Sequence, residues 1–87
     1  MAEGNIETIG GLIKSETLTD TTSSAGIFYT NIPNNRLILF AKCTNNCLSY
    51  LDYGGRCFVI YTVGTDTLVL VKNTKVTVTY YYIEIGI

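Results

Sequence analysis

The sequence predicts an all-β chain, a small antiparallel β-sandwich of jelly-roll-like kind. Three observations carry that prediction. Turn-forming stretches recur roughly every ten residues, the spacing of a sandwich or barrel. No segment combines an apolar period of 3.6 with helix caps. The polar load also falls on Thr, Asn and Ser rather than on charge. Charged residues make up 15% of the 87, against about 25% in an ordinary domain, while hydrophobic residues reach 47%. Thr and the seven tyrosines suit a pleated, half-buried surface. A chain of this length has room for one core. The expected organisation is an extended N-terminal arm over residues 1–13 and a single β-domain over 14–87.

Residues 1–13, MAEGNIETIGGLI, mix glycines with a few aliphatics and suit a weak strand or an arm. Residues 14–20, KSETLTD, alternate and suit an exposed strand. TTSSAG is a loop by composition, and IFYT after it is a short strand. NIPNN holds the only proline, Pro33, and forms a turn. Residues 36–42, RLILFAK, are the clearest strand, with Leu37, Leu39 and Ala41 expected on one face and Ile38 and Phe40 on the other. CTNNC is expected as a hairpin loop, followed by the short strand LSYL and the tight turn DYGG. RCFVIYTV is a second strong strand, turned by GTD into TLVLV. KNTK then leads into VTVTYYYIEI, residues 76–85.

Four of these strands, near residues 36–42, 56–63, 67–71 and 80–85, are apolar on both faces. Antiparallel sheets ordinarily keep one face wet. Without helices to lie over the second face, another copy or another protein is expected to cover it, since large exposed apolar patches mark interaction surfaces. In the last strand Val76, Val78 and Tyr80 are assigned to the core. Thr77 and Thr79 keep the second face wet at first, and Tyr81, Ile83 and Ile85 are expected to form an oligomer interface.

Composition excludes several function classes. The net charge is −1 and the six basic residues are scattered, so no nucleic-acid-binding stripe exists. No apolar run reaches the length of about 20 residues that spans a bilayer. The N-terminus shows neither a basic nor an apolar signal region, which points to synthesis in a cytoplasm. Histidine is absent, and with it the usual general base near neutral pH. Asp52 and Asp66 both fall in turns, where Asp needs no catalytic explanation. The chain is therefore expected to be non-enzymatic, with no catalytic residues and no cofactor.

The three cysteines, Cys43, Cys47 and Cys57, lack the paired spacing of a zinc site, so no metal is expected. A Cys43–Cys47 disulfide across the CTNNC loop is one reading; thiols packed as small hydrophobes is the favoured one. Exposed Tyr beside Asn and Asp can stack on sugars and hydrogen-bond their hydroxyls. Asn45, Asn46, Tyr50, Asp52 and Tyr53, within residues 44–55, form the candidate ligand-binding set. Packed tyrosine rings with hydroxyls at the rim are the competing explanation.

The stretches SETLTDTTSSAG and NTKVTVTYYYIEI, with low charge and abundant Thr, Asn and Tyr, resemble the small β-structured tip and attachment domains of bacteriophage tail fibres and head fibres, over most of residues 14–87. The resemblance implies a homotrimer in the virion, made in the host cytoplasm, that contacts a host receptor or glycan. It also implies that residues 1–13 anchor the domain to other virion proteins. The alternatives are a capsid decoration or cement protein that binds capsid subunits, and a cellular lectin-like binding module.

Overall fold

The computed structural model describes residues 4–9, 11–44, 47–52 and 57–85. Among the described residues there are eight strands and no helix: β1 (Gly4–Ile9), β2 (Ile13–Thr21), β3 (Ile27–Tyr29), β4 (Arg36–Cys43), β5 (Cys47–Asp52), β6 (Cys57–Val63), β7 (Leu68–Leu70) and β8 (Lys75–Glu84). They form two antiparallel sheets stacked over one core, a small sandwich-like fold. The first sheet has the order β1-β2-β8-β4. The second has the order β3-β6-β5, with β7 also paired to β6.

Period-2 alternation builds the core. Along β8, Val76, Val78, Tyr80 and Tyr82 are all buried, and the residues between them are only half-buried. Leu18 of β2 lies opposite Val78 and joins them. The second sheet contributes Phe28 from β3 and Phe58 and Ile60 from β6, and Ile32 closes the cluster from the connection before β4. Four rings make a spine across the two sheets. Phe28 and Phe58 lie 6.4 Å apart, Phe58 and Tyr80 5.9 Å, and Tyr80 and Tyr82 5.4 Å, all tilted as aromatic quadrupoles prefer.

β6 is apolar on both faces for a reason internal to the chain. Phe58 and Ile60 enter the core, yet Cys57 and Val59, at the alternate positions, are also buried, at 7% and 9% exposure. For these residues the expectation of cover by another copy is corrected: the chain buries both faces itself. The strand also changes partner at Ile60. Its N–H donates to Gly26 O and its C=O accepts from Val71 N. β3 therefore occupies the first half of one edge of β6, and β7 the second half. The junction is tight, because a Cβ on Gly26 would sit 3.1 Å from Leu70, and the φ of 77° at Gly26 already favours glycine.

Two expectations about β4 and its exit are also corrected. A bulge between Ile38 and Phe40 leaves Leu39 without a partner on β8. The extra residue reverses the alternation, so Ile38, Ala41 and Cys43 pack on the core while Leu37 and Phe40 lie on the opposite face. β4 and β5 are not the two arms of a hairpin either, since β4 pairs in the first sheet and β5 in the second; Asn45 and Asn46 of the expected loop lie outside the described residues.

The remaining connections are held by specific bonds. Ser23 Oγ accepts from the N–H groups of Ala25 and Ile27, which closes the TTSSAG loop. The buried Thr22 is clamped to Thr74: Thr22 N–H donates to Thr74 O and Thr74 N–H donates to Thr22 Oγ1. Asn73 beside them takes a φ of 50°, a conformation Asn tolerates. At the other end, residues 11 and 12 turn β1 back onto β2, so residues 4–9 lie as an edge strand along the first sheet.

Candidate interaction surface

The first sheet has an inner face that meets the second sheet and an outer face that does not. Register assigns the outer face row by row. Ile13, Ile83 and Leu37 make one cross-strand row. Glu7, Ser15, Tyr81 and Phe40 make the next. Asn5, Thr17, Thr79 and Lys42 follow, and then Thr19 with Thr77. The face is thus divided along its length into an apolar half and a threonine half.

In the threonine half the hydroxyls satisfy one another. Thr17 Oγ1 and Thr79 Oγ1 are 3.0 Å apart, and Thr19 Oγ1 and Thr77 Oγ1 2.9 Å. Such cross-strand pairs are compatible with water and stabilise the sheet without needing cover. In the apolar half Phe40 stacks on Tyr81, with centroids 4.5 Å apart and planes 21° from parallel. Lys42 Nζ lies 5.7 Å from the centroid of the same Tyr81 ring. Phe40 is 56% exposed, Leu37 52% and Ile85 47%. Ile83 and Tyr81 are half-buried, and Ile13 is exposed. Together they form a contiguous apolar surface of the kind that marks an interaction site.

The three residues expected at an interface, Tyr81, Ile83 and Ile85, therefore lie together at this end of the sheet. Phe40, Leu37 and Ile13 extend the same surface and were not expected there. The bulge hid Phe40, because strict alternation assigns it to the wrong face. Of the candidate ligand set, Asn45, Asn46 and Tyr53 lie outside the described residues. Tyr50 and Asp52 are described through the backbone of β5, where they pair with Val59 and Cys57. Cys47 is described through the backbone of β5 alone, so the Cys43–Cys47 bond is not among the described contacts. Cys57 is a buried thiol.

A second cluster sits at the edge of the core beneath this surface. Tyr80 Oη donates to Glu16 Oε1, and Arg36 Nη1 donates both to Tyr80 Oη and, at 3.1 Å, to Glu16 Oε1. The Arg36 guanidinium also lies 4.4 Å above the Tyr82 ring. Burial, and then the hydrogen bond to the Glu16 carboxylate, hold the Tyr80 phenol far above its usual value of about 10. The hydroxyl is kept protonated and occupied. This arrangement secures the end of the core. Nearby, Lys14 donates to Glu84, and the ammonium holds the Glu84 carboxyl below the ordinary carboxylate range.

Among the described residues, no group of three or more His, Cys, Asp or Glu side chains could hold a metal ion, and no helix is long and apolar enough to cross a membrane. Comparison with protein-family models, with curated proteins and with solved structures finds no match to this chain.

Proposed function

We propose that this chain is a non-enzymatic structural subunit of a virion surface assembly, a homotrimeric β-domain of the fibre-tip or head-fibre type. One observation carries the self-association: the apolar half of the outer face, from Ile13 and Ile83 across to Leu37 and Phe40, lies uncovered on a chain with only 15% charged residues. A lone soluble domain has no use for such a surface, whereas a subunit buries it against its neighbours. The compositional resemblance to phage attachment domains supports the choice of particle and of three copies. Contact with a host receptor or glycan is assigned to the 44–55 region.

Light scattering at micromolar concentration is the primary test. A mass three times that of the chain is expected, and a monomer overturns the proposal. A glycan array then separates a receptor-binding tip from a capsid-cementing subunit. Signal lost on substituting Tyr50 or Tyr53 supports the tip, and an array without signal counts against it.

A further inference from the structure

The outer face of the first sheet carries one acid and one base around its apolar half, on opposite edge strands. Glu7 is on β1, in the row of Tyr81 and Phe40. Lys42 is on β4, one row further along, in the row of Thr79. Both are exposed, and among the described residues neither takes part in an ion pair; Lys14–Glu84 and Arg36–Glu16 are the pairs formed there. Lys75 is a further base on this face, at the far end of the threonine half. Glu7 and Lys42 are the two charges that flank the apolar half, and among the described residues the ammonium of Lys42 meets only the Tyr81 ring there.

We propose that the occupant of this face is a second and a third copy of the same chain. The copies are arranged as a ring in which the β1 edge of each lies beside the β4 edge of the next, with Glu7 of one subunit facing Lys42 of its neighbour. The charge pattern selects this arrangement. Setting β1 beside β1 would oppose Glu7 to Glu7, and setting β4 beside β4 would oppose Lys42 to Lys42. A head-to-tail ring opposes acid to base at every contact and points the central strand, with Tyr81, Ile83 and Ile85, at the shared axis. One row is roughly 7 Å along a strand, a distance the two long side chains span together. The inference rests on the self-association proposed above and adds its geometry.

Charge reversal tests it on the full chain. E7K and K42E are each expected to raise the dissociation constant of the assembly about tenfold or more, because like charges then meet at every contact. The double variant E7K/K42E is expected to recover wild-type affinity. An equimolar mixture of the two single variants is expected to remain weaker than the double variant, because a ring of three cannot alternate two kinds of subunit without one like-charged contact. Single variants that assemble like wild type, with unchanged circular dichroism, overturn the edge pairing and leave the subunit reading standing. A mixture as tight as the double variant overturns the ring of three in favour of a pair. A wild-type chain that stays monomeric overturns the subunit reading itself, and the ring with it.

Discussion

The two halves of the outer face are built on the same three strands, and their chemistry diverges within a few residues. On β8, Thr77 and Thr79 find hydroxyl partners on β2, whereas Tyr81 and Ile83 find Phe40 and Leu37 on β4 and stay partly open to solvent. The inner face shows no such break, because Val76, Val78, Tyr80 and Tyr82 are equally buried from end to end. The difference therefore does not arise from the burial of the core. It teaches that one strand can serve the core on one face along its whole length while its other face is specialised separately in each half.

The sharpest way to break the comparison is to place the same charge in each half. Tyr81→Asp puts a carboxylate into the apolar half, where desolvation costs several kcal/mol, and should weaken association by about a thousandfold or more. Thr77→Asp, in the wet half, should leave the mass by light scattering unchanged. Equal loss from both would mean that the halves do not differ in function.

A substitution under both halves should damage stability without this asymmetry. Phe58→Ala removes the central ring of the aromatic spine and should cost about 3–5 kcal/mol in chemical denaturation. Beneath the apolar half, Tyr80→Phe removes one hydroxyl and leaves Glu16 paired with Arg36, for a loss of about 1–2 kcal/mol at neutral pH.

The Tyr80 phenol also gives the stability a direction with pH. Its value is raised on folding, so its contribution is fully present below the unfolded value of about 10 and is lost as the pH climbs from there towards the raised value. Denaturation midpoints should fall above pH 10 in the wild type and fall less in Tyr80→Phe. The smallest effect on the fold is expected of Thr17→Val with Thr79→Val. This replaces both partners of one hydroxyl pair and should change stability by about 0.5 kcal/mol or less. It lengthens the apolar half by one row, so larger assemblies should appear on sizing columns.

Much of the core was legible because strand period and burial coincide in β8. Val76, Val78 and Tyr80 are where alternation puts them. Legibility failed where a local event overrides period 2. The bulge at Leu39 moved Phe40 to the open face, and no residue type in RLILFAK signals a bulge. β4 and β5 read as hairpin arms because only three residues separate them, yet they pair in different sheets. β6 was two-sided in sequence and is buried on both sides by its own chain, which pattern alone cannot distinguish from burial by a neighbour. The Glu16–Arg36–Tyr80 cluster was invisible because its members are distant in sequence and meet only through the β2–β8–β4 pairing.

The place of β8 in the first sheet has a kinetic consequence. It is an inner strand, between β2 and β4, and it is also the last strand in chain order. Its pairing with β2 joins Ile13 to Ile83, so almost the whole chain must be looped before the sheet can close. Contacts this distant are slow to form, and refolding on the scale of milliseconds to seconds is expected in stopped-flow fluorescence. Until β8 inserts, the facing edges of β2 and β4 are both unpaired, and Phe40 has no Tyr81 to stack on. Those edges are templates for wrong pairing between chains. On the proposed self-association, each copy must therefore complete β8 before it assembles, and the timing of that one strand decides between ordered association and aggregation.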